Sequence, residues 1–252
     1  MVYTEKKSGG AAFEKIQSRG KLIVATPGDY CPMAYSSDLL NGYQGFDIEL
    51  AWRLAARLGV KVDFVPTSWA SLADDAKLSR FDMAVGGISR TAERAQKMTL
   101  SAGYLSVGKT ILCRKGEEER FQSLADVDQP DVRVMYNPGG TNEDFVESHF
   151  KQAKIRLAAD NALIPARIAE NEANVMITET VEAAFYVKED PRLAAPLLAS
   201  PFTKDEFCIV LSEDCAPLVD KVNEILQGFR TDGTLEHLCR DYLGSLAGAQ
   251  NA

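Results

Sequence analysis

Thr178-Glu179-Thr180-Val181-Glu182 sets two carboxylates three residues apart where a helical pattern begins, a spacing that puts both on one helix face. In a desolvated cleft two close carboxylates do not both ionise easily, so the pKa of one should rise. A carboxyl that keeps its proton near neutral pH is what a general acid requires. The bland alternative is a pair of acids in a first helical turn, where the macrodipole favours them. Asn137-Pro138-Gly139-Gly140-Thr141-Asn142-Glu143 joins an apolar run to a helix. Its glycines let the backbone approach a ligand, Thr141 offers a hydroxyl and a cap, and free N–H groups at a helix N-terminus bind anions. A plain glycine turn with a threonine cap has the same look. Gly86-Gly87-Ile88-Ser89-Arg90-Thr91-Ala92-Glu93-Arg94 also leaves a strand through glycines into a helix. Arg94 can present a planar guanidinium to a carboxylate, with the hydroxyls of Ser89 and Thr91 at the same rim; alternatively it is a solvated arginine paired with Glu93. Two anion-competent turns in one chain point to a carboxylate ligand. Tyr30, Tyr35, Tyr43, Phe46 and Trp69 could complete a pocket, and Trp69, directly after a strand, is the best placed of them.

Composition narrows the chemistry. The 252 residues hold 28 Lys+Arg against 36 Asp+Glu, a net charge of -8, so the basic footprint of a duplex nucleic-acid binder is missing. Two histidines, His149 and His237, disfavour a multi-histidine metal site, and no metal or cofactor is expected. No window reaches the roughly 18 apolar residues of a membrane span, so membrane insertion is not expected. Five scattered cysteines without CxxC spacing form no disulfide framework; a local Cys208–Cys215 pair is the one conceivable bridge. Met1 to Gln17 lacks the apolar stretch of a signal peptide, which leaves the compartment open.

The elements that must position these residues alternate apolar runs with amphipathic helices, as in an α/β fold. Strands are expected at Lys21–Thr26, Lys61–Val65, Phe81–Val85, Thr110–Arg114, Val132–Tyr136, Ile155–Leu157, Val175–Thr178 and Phe207–Leu211. Helices are expected at Phe13–Gln17, Phe46–Leu58, Ser68–Leu78, Thr91–Lys97, Asn142–Phe150, Ala162–Glu172 and Thr180–Val187. Two further helices end the chain, parted by Gly233, and Gly244–Ala252 reads as frayed. Two α/β units of roughly 100 residues plus a helical tail suit a two-lobed protein whose ligand sits where strand ends meet helix N-termini.

The order Gly45-Phe46-Asp47-Ile48-Glu49, Phe81-Asp82, Gly87-Ile88-Ser89, Glu93-Arg94 and Tyr104 resembles the amino-acid-binding family of the type II periplasmic solute-binding fold, across almost the whole chain. Gly28-Asp29-Tyr30-x-Pro32, Pro66-Thr67-Ser68-Trp69, Asn137 to Glu143 and Asp160-Asn161 resemble the branch of that family that dehydrates prephenate and arogenate. The resemblance implies lobes of 1–108 with 203–252 and of 109–202, hinged near Ser106–Lys109 and Ser200–Thr203, and a periplasmic location. It gives Arg94 a substrate carboxylate, helped by Ser89 and Thr141, and makes Glu182 the general acid. Glu179 falls where amino-acid binders carry an aspartate for the ligand amine, and Phe207 stands where the dehydratases are expected to have lysine. A small carboxylate is the implied partner, a homo-oligomer is left open, and an ABC transporter is the partner only if the chain is a non-catalytic binding protein.

Overall fold

Residues 8–37 and 42–244 are described by the computed structural model, and their apolar runs form two separate sheets. In the first, Lys21–Thr26 pairs in parallel with Lys61–Pro66 and with Met83–Ser89. Asp205–Leu211 then adds antiparallel to Met83–Ser89 and carries Thr99–Leu100 and Leu105–Val107. The second sheet runs Lys154–Leu157, Arg133–Tyr136, Val175–Glu179, Lys109–Arg114, Leu193–Ala194. Its first three strands are parallel, and Lys109–Arg114 is antiparallel to the third. A small third sheet of Asp29–Tyr30, Ala34–Ser37 and Gly42–Gln44 has no counterpart among the expected elements, because its strands are too short to show an alternating pattern.

Each large sheet has its own core. Helix Phe46–Leu58 buries Phe46, Leu50, Leu54 and Leu58 and stops at Gly59. That face joins Leu22, Val24, Met83 and Ile209 of the first sheet and Val222, Leu226, Phe229 and Leu238 of the tail helices Val219–Thr231 and Thr234–Leu243. Around the second sheet, Ile111, Val134, Val175 and Ile177 pack against Phe121, Phe145 and Val146. The chain passes from the first sheet to the second between Val107 and Lys109 and returns between Ala194 and Asp205. These passages lie side by side: the Lys109 N–H donates to Thr203 Oγ1 at 2.9 Å and the Phe202 N–H to the Lys109 carbonyl at 2.8 Å. A Cβ at Gly108 would stand 2.2 Å from the Thr203 carbonyl oxygen, so only glycine permits that contact.

Several boundaries depart from expectation. The strand expected at Phe81–Val85 begins at Met83 and continues through Gly86 and Gly87 to Ser89, so these glycines are not a turn. The buried Asp47 carboxylate accepts from both glycine N–H groups, at 2.8 and 2.7 Å, and from the Tyr104 hydroxyl at 2.5 Å, pinning backbone whose positive φ values, +133° and +72°, favour glycine. The helix expected at Ser68–Leu78 is confined to Leu72–Lys77. Ahead of it, each of Ser68 and Ser71 accepts the other's N–H on its hydroxyl, a local bonding that competes with helix. Ala162–Glu172 divides into a 3₁₀ turn, Asn161–Leu163, and a helix, Ile164–Ala169. The first helix is longer than expected, Ser8–Arg19. All five cysteines are free, Cys208 and Cys215 included. The stretch from Ser245 onward, expected to fray, lies outside the described residues.

Candidate functional site

The antiparallel register of the second sheet sets Lys109 directly opposite Glu179, and the two buried side chains form an ion pair. Lys109 Nζ also donates to Asn142 Oδ1 at 2.5 Å and Thr141 Oγ1 at 2.9 Å, which employs all three ammonium protons. The other oxygen of Glu179 accepts from the Tyr30 hydroxyl at 2.5 Å, reaching across from the first lobe, and Ser89 Oγ stands 3.4 Å from the Lys109-bound oxygen. Burial acts to raise the Glu179 pKa, but the Lys109 charge and hydrogen bond, the Tyr30 hydroxyl and Arg94 outweigh it, and the carboxyl lies below its ordinary range.

Arg94 is placed by a short helix, Ala92–Lys97, that Thr91 caps by accepting the Arg94 N–H at 3.1 Å. Its guanidinium donates to the Ser89 carbonyl at 3.0 Å and lies over the Trp69 ring, 5.9 Å from the centroid. The Trp69 indole N–H is held by Asp29 at 2.9 Å, and Tyr30 meets Trp69 and Phe207 edge-on. From the second lobe, Gly139 packs on the turn after Trp69. At its φ of +90° a Cβ would come 2.6 Å from the Ala70 nitrogen, so the lobes touch through a position where a side chain is excluded. Between them is a small cavity of about 20 Å³ lined by Tyr30, Trp69, Arg94, Asn137, Gly140, Thr141 and Glu179, together with Gly87 and Asn142.

Glu182 occupies the first turn of helix Thr180–Glu189, wholly buried and not itself among the residues that line this pocket. Thr178 Oγ1 donates to one carboxyl oxygen and Asn161 Nδ2 to the other, the latter at 2.7 Å. Asn161 also reaches the Asp29 carbonyl of the first lobe at 3.3 Å, and its own Oδ1 has no partner. Burial lifts the Glu182 pKa well above the carboxylate range; the Thr178 and Asn161 bonds oppose this, and the charges of Glu179 and Asp29 reinforce it. Glu182 therefore holds its proton to a higher pH than an exposed carboxyl does. The expected placement of both acids on one helix face is corrected here. Glu179 has extended backbone, φ -85° and ψ 156°, the helix starts at Thr180, and Lys109 fixes Glu179 as the ionised member.

Of the aromatic candidates, Tyr30 and Trp69 line the pocket. Phe46 is core, stacked on Tyr104, Tyr43 packs on Phe64, and Tyr35 faces a different cavity with Phe185 and Tyr242. Phe207 is buried opposite Ser89 and supports Tyr30; the ammonium of the site comes from Lys109 instead. Lys109, Asn142, Asn161 and Asp29 were not among the expected site residues. The signal for Lys109 was its place at the mouth of a strand that pairs with the Glu179 strand.

Two lobes joined by paired crossings, with an anion-competent cleft between them, define a solute-binding protein. The chain belongs to the bacterial extracellular solute-binding proteins, family 3, which it matches over residues 22–245. It is 41% identical over 201 residues to the cyclohexadienyl dehydratase of Pseudomonas aeruginosa, covering 80% of this chain and 75% of that one. An ancestral amino acid-binding protein described as a precursor of cyclohexadienyl dehydratase superposes with a TM-score of 0.84 at 33% identity, over 92% of this chain and 99% of that one. The L-cystine-binding protein of Escherichia coli is 25% identical over 233 residues, 92% of this chain and 85% of the relative.

Proposed function

We propose that this chain is a cyclohexadienyl dehydratase that converts prephenate to phenylpyruvate, with L-arogenate, which would give L-phenylalanine, as the second substrate to test. The observation that carries the reading is a wholly buried Glu182, its pKa raised by burial, next to a cleft equipped with Arg94; a protein that only holds a solute has no need of such an acid there. Identity of 41% to a dehydratase supports it. In this mechanism Arg94, assisted by Ser89 and the helix N-terminus at Gly140–Thr141, holds the 2-oxo carboxylate, while Asn137, Trp69 and Tyr30 enclose the ring.

Glu182 gives its proton to the departing ring hydroxyl, which leaves as water. The ring carboxylate leaves as carbon dioxide, and its bonding pair completes the aromatic ring. One proton is consumed per turnover, so Glu182 is afterwards recharged from solvent. Aromatisation supplies the driving force without a cofactor. The acid contributes roughly 10²–10⁴-fold, and clamping of the substrate between lobes adds orientation. Because Glu182 is wholly buried, substrate would reach it as the lobes open and reclose. The moving bodies in this reading are 1–108 with 203–252 and 109–202, and the location is the periplasm. Among the described residues no helix is long and apolar enough to cross a membrane.

The rival reading is a binding protein that delivers an amino acid to an ABC transporter, favoured by the 25% identity to an L-cystine binder. Incubation with prephenate, following phenylpyruvate against an uncatalysed control, decides between them. Catalysed appearance of phenylpyruvate is expected; none, together with a co-purified amino acid detected by native mass spectrometry, would install the rival.

A further inference from the structure

Asn161 is 1% exposed and opens the 3₁₀ turn Asn161–Leu163, capped by Asp160, which accepts the Ala162 N–H at 3.0 Å. A buried side-chain amide needs acceptors for two N–H groups and a donor for its oxygen. Nδ2 has both acceptors: Glu182 Oε1 at 2.7 Å, and the Asp29 carbonyl of the first lobe at 3.3 Å. Oδ1 is buried with no partner. Turning the amide over would set its oxygen against the Asp29 carbonyl, acceptor on acceptor, so the two bonds decide which way it faces. Packing does not explain asparagine here, because leucine has nearly the same size and strands no oxygen. Asp29 also accepts the Trp69 indole N–H at 2.9 Å, and Trp69 and Tyr30, the residue after Asp29, line the Arg94 pocket. One buried amide thus connects the acid to the wall of the opposite lobe.

We infer that Asn161 is a positioning residue for Glu182: its amide orients the carboxyl and ties that orientation to contact between the lobes. The inference rests on the dehydratase reading for its effect on turnover, but not for the bonds themselves. An amide N–H only donates, so Oε1 is held as an acceptor and the transferable proton is left on Oε2. That oxygen lies beside the Thr178 hydroxyl, which accepts as well as donates. With the lobes parted, the Asp29 carbonyl is withdrawn and the amide loses the contact that decides its face. Glu182 is then correctly aimed only when strand Asp29–Tyr30 has closed on it.

Asn161→Leu keeps the volume and removes the donor. Its kcat for prephenate should fall by about tenfold to a hundredfold, the value of one buried hydrogen bond. KM should stay within about twofold, since Asn161 does not line the pocket. Losing a donor to the carboxylate favours the neutral acid, so the alkaline limb of kcat should move up by about one pH unit. Glu179, Asp29, Tyr30, Cys31 and Tyr186, the other titrating groups that act on Glu182, are retained, and the shift reports the amide. Carbon-13 NMR of glutamate-labelled free protein, with the Glu182 signal assigned by its loss in Glu182→Gln, should show the same upward shift without any substrate. If the leucine variant fails to fold, Asn161→Ala, which only removes atoms, is read in the same way. An unchanged kcat, a rise in KM alone, or an unmoved Glu182 midpoint overturns the inference. A shifted midpoint in a protein whose wild type turns over neither prephenate nor arogenate upholds the hold of Asn161 on Glu182 and removes the dehydratase reading instead.

Discussion

Replacing Glu182 by glutamine separates the proton it carries from the space it fills. The carboxyl has no exposure, and its pKa is driven up first by burial, so the folded protein holds this proton to a higher pH than the unfolded chain, which ionises it near its ordinary value of 4.5. Above that value the unfolded state has fewer bound protons than the folded one. Wild-type stability therefore falls as pH rises, by about 1.4 kcal/mol per pH unit from this residue, until the folded pKa is reached. Glutamine does not titrate and escapes this loss. Its own cost, a less suitable partner for Thr178, is about 0.5–1.5 kcal/mol and independent of pH. The stability of Glu182→Gln relative to wild type should accordingly improve as the pH rises from 5 to 7, with all other titrating groups common to both proteins. Urea unfolding of the two proteins at each pH measures the difference, and turnover of prephenate on the same samples should fall by roughly 10²–10⁴-fold. A stability difference that stays constant from pH 5 to 7 would mean that Glu182 is ionised in the folded protein and unfit to donate a proton.

Arg94→Ala should weaken substrate binding by about tenfold to a hundredfold, the value of one charge-assisted contact, with an unchanged circular dichroism spectrum; undiminished affinity in calorimetry would take Arg94 out of the site. Gly139→Ala forces a Cβ to within 2.6 Å of the Ala70 nitrogen and should hold the lobes apart, raising KM and enlarging the radius of gyration; wild-type values of both would show that the lobes do not need this contact. Since Tyr30 to Glu179 and Asn161 to Asp29 bonds cross the cleft, saturating ligand should compact the free protein in small-angle scattering. Identical profiles with and without ligand would refute a hinged cleft.

Much of the scaffold could be read in the chain because its central strands, such as Met83–Ser89 and Val175–Glu179, are buried along their length and stand out as apolar runs. Lys21–Thr26, with its KLIVAT sequence, has its expected bounds. So does helix Phe46–Leu58, whose apolar spacing and terminal glycine are local signals. Arg94, Thr141 and Glu179 were legible as well, since each sits at a strand-to-helix junction where chemistry is expected. Lys109 was not. It is 70 residues from Glu179 in sequence, and only the antiparallel register unites them; read alone, it is a polar residue ahead of TILCR. Gly86 and Gly87 misled for a related reason. Two glycines in sequence suggest a turn, but the acceptor that holds them within the strand is Asp47, 39 and 40 positions away. Local patterns carry propensity, whereas register and buried polar partners are properties of the folded whole.

The placement of Asp205–Leu211 has a consequence for how the molecule is made. Every strand of the second sheet is contained between Lys109 and Ala194, so that unit can close as soon as it has left the ribosome. The first sheet cannot. Its strand Met83–Ser89, buried at every position, needs Asp205–Leu211 as its neighbour, and the helices that cover its core follow later still. Until about residue 240 has been synthesised, the older half of the nascent chain presents an open apolar sheet edge, the kind of surface on which chains aggregate. The inserted half, though made second, is the one able to finish first. A return crossing that serves ligand closure in the mature protein therefore also fixes the order of assembly, and concentrates the demand for chaperone protection on the N-terminal third.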